Sequence, residues 1–101
     1  MSAAPDDLLI QLIDLIDRLR DETADYLDKP GDQQLWYNRG YANGMVLALQ
    51  ALGEAAALGE RRPDDPDVLG AQLALPWGKA YRHGEAVGRQ ETFDVTGNTP
   101  S

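Results

Sequence analysis

The chain has 101 residues, enough for one small domain, and 43% of them are hydrophobic, which is too many for a disordered chain. Seventeen acidic residues against nine lysines and arginines give a net charge of −8, which argues against direct binding of nucleic-acid phosphates and of anionic membranes. The chain has no cysteine, so disulfides and thiolate metal sites are excluded.

The first residues, MSAAPDD, show neither the basic segment nor the apolar run of a signal peptide. No stretch approaches the roughly 18 apolar residues that a transmembrane helix needs. We therefore expect a cytoplasmic protein without a membrane span.

Residues 6–28 carry the clearest helical pattern. At 100° per residue one broad arc is apolar, and it consists of Leu8, Leu9, Leu12, Ile13, Leu15, Ile16, Leu19, Tyr26 and Leu27. The sequence Lys-Pro-Gly at residues 29–31 ends this pattern. We predict one amphipathic helix over residues 6–28.

Aspartates form a ridge on the opposite side of this predicted helix. Its members are Asp14, Asp17, Asp21, Asp25 and Asp28. At 1.5 Å per residue the ridge is about 21 Å long. Residues 1–35 hold nine acids and three bases, so they carry six of the eight net negative charges. The ridge is either a solvated face or a partner-binding row of carboxylates that imitates phosphates before a basic protein surface.

Residues 33–59 form the second predicted helix, with Asp32 as its N-cap and Gly59 as its C-cap. Few positions are charged, which indicates burial on more than one face. A loop follows at residues 60–67, and Pro66 begins a short helix that reaches Leu75. Residues 77–91 are again helical. We divide the chain into a single helical domain, 1–91, and an extended or mobile C-terminal tail, 92–101.

A related pattern of small residues occurs twice, in RGYANG at residues 39–44 and KAYRHG at 79–84. Interior glycines cost a helix roughly 1 kcal/mol each, so a run of small residues suggests a close approach of two backbones. The predicted helix-contact residues are Gly40, Gly44, Ala48, Ala80, Gly84 and Gly88. An internal duplication is a second explanation, and glycines at kinks or helix ends are a third.

The same two segments carry basic and aromatic side chains, a combination that interfaces prefer. They form a possible ligand surface for a small anion such as a nucleotide, made of Arg39, Tyr41, Lys79, Tyr81, Arg82 and His83. The alternative is an aromatic core with a solvated basic rim.

Catalytic and metal-binding patterns are missing from the sequence. His83 is the single histidine, and its spacing to nearby glutamates is no recognised ligand spacing. The only serines are Ser2 and Ser101, at the two ends. Exposed aspartates also lack the burial that raises a carboxyl pKa into a useful range. We predict that the protein is not an enzyme and has no cofactor, no metal site and no catalytic residue.

We expect an all-α protein: a small bundle of three main helices plus one short helix, with a hairpin between helices 1 and 2. The predicted core is Leu12, Ile16, Leu19, Tyr41, Met45, Leu49 and Leu52.

The favoured function is a small acidic module that binds another protein and forms homo-oligomers. One form is a phage or mobile-element inhibitor, with helix 1 against a basic, nucleic-acid-binding surface. The alternatives are a nucleotide-binding module and a structural subunit of a larger assembly.

Overall fold

A computed structural model describes residues 5–97, and every regular element in that range is helical. The long helices are α1 (Pro5–Glu22), α2 (Gln33–Ala51) and α5 (Pro76–Val95). The short helices are α3 (Ala55–Leu58) and α4 (Pro66–Leu69), and 3₁₀ segments cover Tyr26–Asp28 and Gly70–Ala74. The predicted all-α bundle of three main helices is confirmed.

Helices α1 and α2 form the predicted antiparallel hairpin. Leu12 and Ile16 of α1 pack with Met45 and Leu49 of α2 in one buried cluster. Leu58 of α3 completes its centre. The half-buried leucines and the tyrosine of the predicted core lie around this cluster, so all seven predicted core residues belong to it.

Helix α1 ends at Glu22, whereas the sequence predicted a helix through residue 28. The hydroxyl of Thr23 donates to the carbonyl oxygen of Leu19 at 2.6 Å, and the backbone then turns. The 3₁₀ segment that follows points Tyr26 into the protein, where its ring meets Trp36 edge to face at 4.9 Å. The turn replaces the last predicted helical turns because it buries an aromatic ring.

The predicted helix over residues 33–59 is two helices. Asp32 is the N-cap as predicted, and its side chain accepts a hydrogen bond from the backbone N–H of Leu35 at 3.0 Å. Helix α2 ends at Ala51, and Gly53 follows with φ +82°, a backbone conformation that favours glycine. Helix α3 then ends at Gly59.

Helix α5 continues to Val95, four residues beyond its predicted end. Thr92 is buried and extends the inward-facing stripe of Tyr81, Gly84 and Gly88, so the helix keeps packing past residue 91. The predicted start of the tail at residue 92 therefore falls inside a helix. Residues 98–101 of the predicted tail lie outside the described residues.

Two glycines of α2 let the backbone of α5 approach very closely. A Cβ atom at Gly40 would lie 1.9 Å from the carbonyl oxygen of Tyr81. One at Gly44 would lie 2.1 Å from that of Glu85. No side chain fits in such a space, so the glycine Cα–H groups point directly at the carbonyl oxygens of α5.

The glycines of α5 make the same contact in return. A Cβ atom at Gly84 would lie 2.1 Å from the carbonyl oxygen of Tyr37, and one at Gly88 2.2 Å from that of Tyr41. One turn along α2 thus corresponds to one turn in the same direction along α5. The two helices are parallel. At their crossing, the glycines of each helix lie against the backbone of the other.

This crossing relates the two helices by an offset of 44 positions. Gly40 has the environment of Gly84, and Gly44 has that of Gly88. The segments RGYANG and KAYRHG are 40 positions apart in the sequence, so residues at matching places in the two segments lie one helical turn away from the spatial match. Of the predicted alanines, Ala48 is buried on α2 and Ala80 is half-buried on α5.

Candidate partner-binding site

A buried carboxylate, Asp64, ties the segment before α4 to three helices. The guanidinium group of Arg39 donates to both of its oxygens, at 2.8 and 3.0 Å. The hydroxyl of Tyr81 donates at 2.7 Å, and Arg20 forms a longer ion pair at 3.5 Å. The side chain of Asp64 is 6% exposed. We call these four residues the Asp64 network.

Two further side chains extend this network along α2 and α5. The backbone N–H of Asp64 donates to the side-chain oxygen of Asn43 at 2.7 Å. Asn43 in turn donates to the carboxylate of Glu85 at 2.7 Å. Within residues 5–97, every buried side-chain nitrogen and oxygen atom has a hydrogen-bond partner.

Arg39 and Tyr81 of the network stay protonated, because the pKa of each is raised. Burial, followed by the charge of Asp64 and the hydrogen bond to it, raises the pKa of the Tyr81 hydroxyl far above its ordinary value. Burial alone would lower the pKa of Arg39, but hydrogen bonds to Asp64 and the charge of Asp64 outweigh it and raise that pKa. The network therefore has a structural role: it connects the segment before α4 to α1, α2 and α5.

The structure does not bring the predicted ligand surface together. Arg39 and Tyr81 are committed to the Asp64 network. Tyr41 packs against the buried cluster of α1 and α2, and its hydroxyl donates to Glu91. The exposed members are Lys79, Arg82 and His83, and the His83 ring packs edge to face on Tyr37 at 5.5 Å.

A cavity of about 260 Å³ lies beside the Asp64 network, between α2, α4 and α5. Its apolar wall includes Leu47 and Leu69. Its polar groups include two carboxylates, of Asp64 and Glu85, and one guanidinium, of Arg82.

The predicted aspartate ridge is broken at the end of α1. Asp14, Asp17 and Asp21 lie exposed on the helix, whereas Asp25 and Asp28 follow its last turn. Some of the charge is also neutralised within the chain. Arg61 donates twice to Asp17 at 2.8 Å, and Lys29 pairs with Asp25 at 3.0 Å. The hydrogen bond from Arg61 lowers the pKa of Asp17.

A shorter row of carboxylates remains on α1. Asp7, Asp14 and Asp21 are exposed, and in the described part of the chain none of them forms a close ion pair, although Asp14 interacts at longer range with Arg61. Seven residues make nearly two full turns, so the three carboxylates line up about 10.5 Å apart. We call them the acidic stripe. Asp14 and Asp21 belong to the predicted ridge, and Asp7 extends the row toward the beginning of the helix.

An apolar groove runs beside the acidic stripe, between α1 and the C-terminal half of α5, with α2 as its floor. It consists of adjoining depressions of about 210, 440 and 140 Å³ that share lining residues. Its main apolar residues are Leu8, Leu12 and Leu15 of α1, Tyr41 and Met45 of α2, and Val95 of α5. Asp14 of the acidic stripe lines the groove as well.

Comparisons with known protein families, with curated proteins and with solved structures find no match. Among the described residues, no three histidine, aspartate or glutamate side chains are grouped so that they could hold a metal ion. None of the helices in residues 5–97 is long and apolar enough to cross a membrane. The acidic stripe and the apolar groove are thus the features from which function can be argued.

Proposed function

We propose that this protein acts by binding another protein, and that the acidic stripe attracts a basic surface of that partner. The observation that carries the proposal is the exposure of Asp7, Asp14 and Asp21, none of which forms a close ion pair within the described residues, on a helix where the neighbouring Asp17 is paired with Arg61. Exposed carboxylates without a close ion pair remain available to attract external cations.

The spacing of the stripe makes this arrangement tolerable in the free protein. At about 10.5 Å the carboxylates are one Debye length apart at 0.1 M salt, roughly 10 Å, so their mutual repulsion is largely screened. A basic partner approaching all three still experiences the summed field of the acidic N-terminal region, which accelerates association.

A phage or mobile-element inhibitor that covers a nucleic-acid-binding surface is one form of this function. The stripe supports attraction to basic surfaces in general. Its carboxylates are much farther apart than the charges of a nucleic-acid strand, which recur about every 3.4 Å along the helix axis. Close imitation of phosphates is therefore not part of the proposal.

The predicted homo-oligomer and the structural-subunit alternative need a different surface. Two copies that met through their acidic stripes would place like charges together, and such contacts are unfavourable. We therefore assign the stripe to a partner of different chemistry.

Charge reversal tests the proposal. In one variant Asp7, Asp14 and Asp21 are all changed to lysine. In the control the same change is made at Asp28, Glu60 and Asp67, which are exposed acids away from the stripe. Both variants and the original protein serve as bait in extracts of the source organism and its host, with mass-spectrometric identification of bound proteins.

We expect the control to retain the specific partner and the stripe variant to lose it, while circular dichroism shows equal helicity for both. If the stripe variant retains the same partner as the original protein, the stripe only confers solubility and the proposal is wrong.

A further inference from the structure

We propose that the apolar groove between α1 and α5 receives a basic amphipathic helix of the partner protein. This inference rests on the proposed function and specifies the form of the partner. The acidic stripe alone would suit any basic surface, whereas the groove selects one that also presents a narrow apolar face.

The groove has the shape and chemistry for a helix. Both α1 and α5 pack on α2, and the space between them exposes apolar surface along α1. Val95 at its edge is 55% exposed. The residues of α1 that line the groove run from Leu8 to Arg18, about 15 Å along the helix axis, which accommodates about three turns of a helix laid alongside it. Helices bind such grooves through apolar side chains at i, i+3, i+4 and i+7.

Charge complementarity determines which helix fits. The groove is bordered by three carboxylates, of Asp14, Glu54 and Glu91, and by one base, Arg18. The acidic stripe continues this negative border along α1. A helix with leucine-like residues on one face and lysines or arginines on both flanks would contact the apolar floor of the groove and pair with the carboxylates at its border.

Other occupants fit less well. A second copy would bring its own acidic α1 to an acidic border. A fatty acid or another anionic amphiphile has an apolar body but carries the wrong charge at the rim. We therefore assign the groove to a cationic helical segment.

A defined peptide tests the inference. The probe is a fluorescein-labelled synthetic 18-residue peptide of leucines and lysines, with the leucines on one helical face. A peptide of the same composition has its leucines spread around the helix, and a third has glutamate in place of lysine. Fluorescence anisotropy measures binding of each to the full chain. We expect the amphipathic lysine peptide to bind at least about tenfold more tightly than either of the others.

Two matched variants locate the binding site. Val95→Arg puts a charge at the edge of the groove, and Val68→Arg puts the same charge on α4, at a valine that is 51% exposed. Neither side chain is buried, so both variants should fold. We expect Val95→Arg to weaken binding of the amphipathic lysine peptide about tenfold and Val68→Arg to leave it unchanged.

The outcomes separate this inference from the proposed function. Equal binding of the two lysine peptides, with no effect of Val95→Arg, refutes the groove and leaves the acidic stripe as an attractor of basic surfaces. Equal binding of the lysine and glutamate amphipathic peptides supports the groove and refutes the role of charge. If no peptide binds, the groove inference is wrong.

Discussion

At the scale of single residues, Asp64 joins the segment before α4 to three helices. Its carboxylate accepts hydrogen bonds from Arg39 of α2 and Tyr81 of α5 and forms an ion pair with Arg20 of α1. Asp64 itself lies in an irregular segment between two prolines. Removing its charge would leave the half-buried guanidinium of Arg39 without its counter-ion, and such changes are costly.

We expect Asp64→Asn to lower the free energy of unfolding by about 2–4 kcal/mol. Asp67→Asn is the control, because Asp67 is exposed three residues further along and should change stability by about 0.5 kcal/mol or less. Urea denaturation followed by circular dichroism measures both. Equal midpoints for the two variants would show that the Asp64 network contributes nothing to stability.

The sequence could not identify Asp64 as the partner of Arg39. The two are 25 positions apart, and RRPDDPD at residues 61–67 has the composition of a solvated turn, in which any of three aspartates is an equal candidate. Only the fold selects one of them. Because the sequence does not show that Arg39 has an internal partner, Arg39 was predicted to lie on a ligand surface.

At the scale of elements, the parallel crossing of α2 and α5 depends on missing side chains. Four glycines, two on each helix, direct Cα–H groups at carbonyl oxygens of the other helix. Each such contact contributes about 0.5–1 kcal/mol, comparable to the roughly 1 kcal/mol that an interior glycine costs a helix. These two contributions roughly cancel, so the van der Waals contacts of the closely packed helices provide the net stabilisation of the crossing.

The variant Gly44→Ala compares the helix-propensity cost of the glycine with the stabilisation from close packing of α2 on α5. Alanine restores about 1 kcal/mol of helix propensity, but its Cβ atom would meet the carbonyl oxygen of Glu85 at 2.1 Å, and a backbone atom cannot rotate away. We expect a net loss of about 2 kcal/mol or more in the free energy of unfolding.

The control for Gly44→Ala is Gly31→Ala, at a turn position with no neighbouring atom within 4 Å of an added Cβ. It should be neutral or slightly stabilising. Thermal unfolding measures both variants. A Gly44→Ala protein at least as stable as the original would contradict the close approach of the two backbones.

Helix beginnings were easier to predict than helix ends. Asp32 and Pro66 mark their helices by local chemistry, which a sequence displays directly. The ends of α1 and α2 are set by tertiary contacts, the burial of Tyr26 and the reversal after Ala51. The continuation of α5 to Val95 likewise depends on what Thr92 packs against. These contacts are not visible in local composition.

At the scale of the whole molecule, the three long helices are not equally attached. Helices α2 and α5 are joined along their lengths, and the Asp64 network fastens the segment between them. Helix α1 contributes one apolar face and leaves its acidic side in solvent, with the apolar groove along its edge. Regions with fewer buried contacts open at lower free energy.

We expect native-state hydrogen exchange to follow this order. Amides in the middle of α2 and α5, near Gly44 and Gly84, should exchange slowest and report global unfolding. Amides in the first half of α1, near Leu8 and Leu9, should exchange through a local opening of lower free energy. Mass spectrometry of exchanged fragments measures this. Slowest exchange in α1 would contradict the order.

The parallel arrangement of α2 and α5 has a kinetic consequence. Their matching residues are 44 positions apart, so the chain must close a long loop before the tightest contact of the protein can form. In a bundle built only of antiparallel neighbours, most contacts are local and folding is fast. Here the α1–α2 hairpin can form early, but the glycine crossing must await the arrival of α5. Helix α5 thus completes the fold, and until α5 has left the ribosome the glycine face of α2 remains uncovered.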